Sequence, residues 1–278
     1  MQSLSTTAFG TTALIQAITP FLTPFVIFIS MGLVLEWLKP AEARQPVRRI
    51  LFNLAYSPVY VISLALLAPL MLSELPATSA SLMRISWGQT FLGALAQTLL
   101  FVLVYDFFYY WWHRAQHTWS PLWAIHRLHH SDRALNVTST ARHHWLEEML
   151  RPLVVLLPVA LLLQFEPTQF AVIGSVLAAW PFFIHMNVRL PLGGAGRVIM
   201  GPQYHRVHHS IEPRHWNRNF ASFFPIWDYV FGTAYHPDSD EFPGTGLPEH
   251  DGEPRSSAHE ALTAPFVEWW RLWRAHRS

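Results

Sequence analysis

The chain has 278 residues with a formal charge of +1; 51% of them are hydrophobic, only 13% are charged, and 13 are Trp. That is the composition of a membrane protein, and its 19 scattered Lys and Arg cannot build a face that neutralises many phosphates, which excludes nucleic acid as a partner. There is no cysteine, so disulfides, iron–sulfur clusters and thiolate ligands are excluded, and any metal must sit among nitrogen and oxygen donors.

The first twenty residues carry no Lys or Arg, so the charged start of a secretory signal is missing and the first apolar stretch, 12–37, is expected to be retained as a span containing Pro20 and Pro24. A polar segment with Lys39, Arg44, Arg48 and Arg49 follows. Residues 51–73 and 88–112 predict a second and a third span, with kinks at Pro58 and Pro69. Residues 149–165 and 168–186 predict a hairpin around QFEPTQ. Each arm lies near the ~17-residue lower limit for crossing, so a re-entrant hairpin is the alternative. The Lys/Arg excess at 39–50 places that segment in the cytoplasm, with the amino terminus outside and all the histidine boxes on the cytoplasmic side. The fold class expected is therefore all-α: a polytopic membrane helical domain of about four to five spans or re-entrant helices, with a cytoplasmic histidine-rich cap. Residues 237–257 read as a Pro/Gly/acidic linker. Phe266, Trp269, Trp270 and Trp273, beside Arg271, Arg274 and Arg277, predict a helix that lies in the membrane interface or packs on the protein's own cap.

The chain is organised around 105–130, YDFFYYWWHRAQHTWSPLWAIHRLHH. His113 and His117, spaced i, i+4, share one face if the run is helical; His126, His129 and His130 follow as HxxHH, and His205, His208 and His209 repeat that pattern. A single histidine would be an ordinary polar residue, but boxes at this spacing point to a metal site. With His144 and His185 the candidates exceed what one metal can hold, and two ions with ~4 to 6 ligands each would use them; imidazole suits Fe, Zn, Cu and Ni, so spacing does not name the metal. HExxH does not occur, which removes the zincin metalloproteases. A ligating imidazole usually passes its other N–H to a carboxylate or carbonyl. The candidates for that role are Asp106, with Tyr110 on the His113 face, then Arg142, Glu147 and Asp228. Arg142 with Glu147 as an interfacial ion pair, and Asp228 as a helix cap, are the bland alternatives.

The ordered set HRAQH, HRLHHS, RHHWLE, FIHMN, HRVHHS and NRNFASFFPIWDYVFGT resembles the sterol desaturase and fatty acid hydroxylase superfamily of integral membrane di-iron oxygenases, over roughly residues 100–236. The resemblance implies an N-terminal membrane segment (1–99), a fatty acid hydroxylase/sterol desaturase-like domain (100–236) and a tail (237–278). It implies that His113, His117, His126, His129, His130, His144, His185, His205, His208 and His209 hold two iron ions, with Asn187 and Asn219 in the adjoining motifs. It implies an enzyme that uses O2 to hydroxylate or desaturate a C–H bond of a membrane lipid, sterol-like, fatty acyl or alkyl-ether, with electrons from an external ferredoxin or a cytochrome and its reductase. Trp145 stands where a Pro is usual and Ala221 where a Gly commonly follows Asn219–Phe220. The three residues within the first box resemble the sterol-desaturase branch. His143, His215, His236, His250, His259 and His276 match no box and are assigned surface or structural roles. The rival readings are a histidine-rich membrane metal transporter or sensor, which needs ligands through the membrane depth, and a zinc-dependent membrane hydrolase, which needs a general base at the metal.

Overall fold

The computed structural model describes residues 11–42, 45–74, 81–87, 90–164, 167–248, 257–275 and 277. Three long helices, α1 (Thr11–Leu38), α2 (Val47–Glu74) and α3 (Phe91–Thr118), form its frame. Among the described residues these are the helices long and apolar enough to cross a membrane, over Ile18–Leu38, Val47–Leu66 and Phe91–Thr118. Apolar side chains still exposed on them, such as Leu22, Val26, Met31 and Leu66, are what lipid contact requires. Both α1 and α2 run through their prolines as helix. The third helix begins at Thr90, whose side chain accepts from Gly93 N, and it continues beyond the expected boundary at 112, so that the first histidine box occupies its last turns.

One extended residue, Trp119, turns α3 into α4 (Ser120–His130), and Pro121 starts the new helix. A buried 3₁₀ turn (Val137–Ala141) leads to α5 (Trp145–Arg151). There follow a π-helical turn (Pro152–Leu156), in which Leu157 N reaches back to Pro152 O, and α6 (Leu157–Leu162). Pro158 supplies no N–H, so the i→i−4 ladder is interrupted at this place and the wider turn absorbs the break. The first arm of the expected hairpin is therefore built from short pieces. The second arm, α7 (Pro167–His185), is one continuous helix, apolar over Ile173–His185 among the described residues, and stands beside the three long helices. A two-residue parallel pair, β1 (Met83–Arg84) with β2 (Leu163–Gln164), ties the chain after α2 to the end of α6.

The core of the bundle joins α1, α2, the 3₁₀ turn and α7 through Phe25, Ile29, Val61, Val137, Ala141 and Phe182. Gly32 lets α1 lie against Val137, since a Cβ there would stand 2.6 Å from a Val137 methyl. Polar side chains close the same end of the bundle. Glu36 accepts from Val137 N (2.6 Å) and Asn187 N (2.9 Å), and Asn53 donates to Asp132 while accepting from Arg142. After the short helices α8 (Pro202–His208) and α9 (Ile226–Val230), the last element, α10 (Ala258–Ala275), lies on α4. Ala261 is buried and Trp269 Nε1 donates to Pro121 O, whereas Phe266, Trp270 and Trp273 remain exposed on its other side. The packing on α4 agrees with the reading of a helix laid on the protein's own cap. The roles given to His250 and His276 lie outside the described residues.

Candidate metal centre

Two all-imidazole groups form at the end of the bundle where α3, α4, α7 and α8 (Pro202–His208) meet. His113, His117, His126, His130 and His208 make the first; His129, His185, His205 and His209 make the second, with the donor atoms of each within 4.8 Å of one another. Helix geometry explains the division. On α4, His126 and His130 are i, i+4 and enter the first group, while His129 turns into the second. On α8 the sense is reversed: His205 and His209 enter the second group and His208 the first. Residues far apart in sequence converge, the His113 and His208 rings standing 4.4 Å apart.

The orientation of the rings is fixed from outside. His113 Nδ1 donates to Phe220 O (2.7 Å), His208 Nδ1 to Arg218 O (2.8 Å) and His185 Nδ1 to Pro181 O (2.6 Å); a carbonyl can only accept, so each Nε2 carries a lone pair. His126 Nδ1 stands 3.1 Å from Glu147 Oε1. These Nε2 atoms face inward, in chains from His113 through His126 and His130 to His208 at 3.1 to 3.2 Å, and from His129 through His185 and His205 to His209 at 3.0 to 3.1 Å. Burial, followed by the neighbouring imidazoles, holds His129, His130, His205 and His209 well below the ordinary histidine value; burial also takes His208 to about 3. Neutral imidazoles with converging lone pairs are what a cation takes as ligands. His117 Nε2, buried and without a hydrogen-bond partner, fits the same use. The donor set is nitrogen throughout, suited to Fe, Zn, Cu or Ni.

Of the ten proposed ligands, nine fall in these groups and His144 does not. Its Nδ1 accepts from Leu146 N at the start of α5 and its Nε2 donates to Leu262 O on α10, so the ring caps a helix and faces away. The reason is local: the extended backbone at His144 sends adjacent side chains to opposite sides, and it is His143 that faces the site. His143 stacks on His129 with centroids 4.1 Å apart, and its Nδ1 stands 3.1 Å from Glu147 Oε1. Its assignment to a surface or structural role is corrected accordingly. His126, His143 and Glu147 form a third group with ligand spacing. Burial pushes the Glu147 carboxyl up, but His143 and His126 outweigh it and hold the carboxyl well below its usual range. His215 is buried between Ser210 Oγ and Glu241, outside the groups.

The other proposed supporting residues act through the backbone. Asp106 accepts from Ser222 N, Phe223 N and Phe224 N, and Asp228 accepts from Phe220 N, Ala221 N and Thr233 Oγ1. Both pin the loop whose Phe220 carbonyl holds His113. Tyr110 bonds Thr233 below that loop. Asn219, at φ 59°, bonds Tyr204 O and Tyr235 O, a left-handed position that Asn tolerates. Arg142 clamps the end of α4 through Leu128 O and Ser131, while Asn187 joins Glu42 and Arg206. Glu147 touches an imidazole directly, at His126 Nδ1. Glu36 and Asp132 were not singled out from sequence; a charged residue near a span end gives no pattern that separates a structural anchor from a solvated one.

A cavity of about 430 Å³ reaches the site, bounded by apolar side chains of α1, α2, α6 and α7 together with His129, His143 and His185. It follows α7 from Gly174 to His185, a rise of about 16 Å at 1.5 Å per residue.

An apolar helical bundle that seats two groups of inward-facing histidines at one end, against a mostly apolar cavity, defines a membrane protein of the histidine-box class, with groups that could hold metal. The family model for fatty acid hydroxylase matches residues 98–233, and the chain belongs to the sterol desaturase/fatty acid hydroxylase superfamily. It is 34% identical to an alkylglycerol monooxygenase of Danio rerio over 72% of this chain and 40% of that protein, and 33% identical to an ornithine lipid hydroxylase of Rhizobium tropici over 51% and 42%. A methylsterol monooxygenase of Aspergillus fumigatus is 31% identical over 52% and 49%. The aligned stretch thus spans less than half of the length of each of these relatives. No solved structure matches the chain significantly.

Proposed function

We propose that the protein is an O2-dependent di-iron oxidoreductase that hydroxylates or desaturates a C–H bond of a membrane lipid. The observation that carries this reading is the pair of adjacent all-imidazole groups at the head of an apolar cavity. Nine histidines, His113, His117, His126, His130 and His208 for one iron and His129, His185, His205 and His209 for the other, would hold the metals, which supply the O2 activation and hydrogen abstraction that side chains lack. The chain's own contribution is positioning. Phe220, Arg218 and Pro181 carbonyls and the Glu147 carboxylate orient the rings, and the walls from α1 and α7 exclude water and admit an acyl or alkyl chain.

Electrons enter from outside, from a ferredoxin or a cytochrome with its reductase, since the chain has no cysteine to hold a cluster. The centre and the carboxyl-terminal helix face the cytoplasm, an orientation supported by the basic 39–50 segment, whose Lys39 carbonyl bonds Arg189 N beside the site. Against a transporter stands position: among the described residues the candidate groups gather at one end of the bundle rather than along it. The test is metal analysis and Mössbauer spectroscopy of aerobically purified protein, with O2- and reductant-dependent oxidation of a lipid extract. About two irons per chain with oxidised product are expected; zinc in place of iron, with activity independent of O2, would overturn the reading.

A further inference from the structure

The wall of the cavity is mostly apolar, with the hydroxyl side chains of Tyr105, Tyr109, Thr140 and Ser222 among its lining, and outside the imidazole groups its charged side chains are Glu148 and Arg151. Arg151 Nη2 donates to Glu148 Oε2, one turn apart at the end of α5, and Arg151 also bonds the Tyr60 phenol from α2. All three residues line the cavity. The Glu148 side chain is fully buried, yet its Oε1 has no hydrogen-bond partner. A guanidinium has five N–H donors, of which these two partners use only part. A buried carboxylate oxygen without a donor is costly, and in a cavity open to a ligand it marks where a donor belongs.

From this geometry we infer that Glu148 and Arg151 form a recognition subsite for an uncharged hydroxyl group on the lipid. The inference rests on the lipid-oxidation reading and narrows its substrate class. The O–H donates to Glu148 Oε1 and the oxygen accepts from a free Arg151 N–H, so one small group satisfies both. A carboxylate would face the Glu148 charge, an ammonium would face Arg151, and an ether or alkane offers nothing to Oε1. Tyr60, held by Arg151, stands with its ring 6.1 Å from that of His143, so the hydroxyl-bearing end lies toward the histidines and the chain follows α7 toward Gly174.

The test is binding to the full-length protein in lipid nanodiscs, without reductant, by displacement of radiolabelled hexadecanol with unlabelled hexadecanol, its methyl ether, hexadecanoate or hexadecylamine. The alcohol is expected to bind at least about tenfold more tightly than each of the other three, the difference of one hydrogen bond to a charged group. In Glu148→Gln the preference should invert toward hexadecanoate by a similar factor, because Arg151 then lacks its counter-charge. Equal affinities in the wild-type protein, or hexadecanoate bound best, overturn the subsite whether or not the variant folds. If the alcohol preference holds but no lipid is oxidised, the catalytic reading fails and the subsite stands; oxidation without the preference gives the reverse.

Discussion

The Nε2 atoms of His113 and His126 lie 3.2 Å apart although each ring directs its Nδ1 outward, to the Phe220 carbonyl and to Glu147. Two lone pairs therefore face each other in a buried place, an arrangement that a cation relieves. Metal should consequently stabilise the fold by mass action. Thermal unfolding of loaded and chelated protein, followed by circular dichroism, is expected to show a higher midpoint for the loaded form, corresponding to about 2.7 kcal/mol at a metal concentration one hundred times Kd. Coincident transitions would show that the imidazoles are satisfied without metal.

Because α4 and α8 each feed both groups, single substitutions should separate the two. His208→Ala removes a nitrogen from the first group and His129→Ala one from the second. Each is expected to lower metal per chain from about two toward one and to abolish lipid oxidation, with insertion into the membrane retained. His259, exposed at the start of α10, serves as the control. Full metal content in both variants would remove the two-group assignment.

The alternating use of α4 and α8 shows what the sequence made legible. HxxHH announces ligands wherever it lies on a helix, since i and i+4 share a face, and the long apolar runs announce α1 to α3. The choice between His143 and His144 was not legible, because it depends on where the extended chain enters α5, and a backbone turn of one residue exchanges the two faces. Nor was the role of Asp106. It shares a helical face with His113, but the buried amides it serves belong to residues 222–224, which are distant in sequence. The break in the first arm of the hairpin follows from Pro158 and the π turn, whose register no hydropathy average records, whereas the second arm is the single helix expected.

His143→Ala and His144→Ala should therefore differ in kind. Loss of the ring stacked on His129 and held by Glu147 is expected to perturb the metal spectrum and weaken metal binding by about 10–100-fold, as for a group that orients a ligand. Loss of the His144 cap should cost about 0.5–2 kcal/mol of stability with the metal spectrum unchanged. Metal titrations and thermal melts on the two variants decide this; metal loss in His144→Ala alone would return it to the ligand set.

Asp106→Ala should release three buried backbone N–H groups at once. With each unsatisfied donor costing about 1–3 kcal/mol, the variant is expected to melt well below the wild type, and its 219–224 amides to exchange hydrogen faster. Unchanged exchange in that loop would mean that Asp228 alone holds it.

Gly174 lines the cavity on α7, about three helical turns from His185. A Cβ built there meets nothing within 4 Å, and the residue lines the space that ends at His185. Gly174→Leu can then be accommodated without a clash on its own helix, and its side chain would occupy volume that a lipid tail otherwise fills. Replacing Gly by Leu within a helix also favours the helix by roughly 1 kcal/mol, so a loss of function cannot be ascribed to unfolding if the melt is unchanged or higher. The expected result, measured on alcohols of graded chain length, is that the longest chains lose affinity and turnover while short chains keep both. An equal loss for all lengths, or none, would show that the tail leaves the protein before it reaches α7 at Gly174.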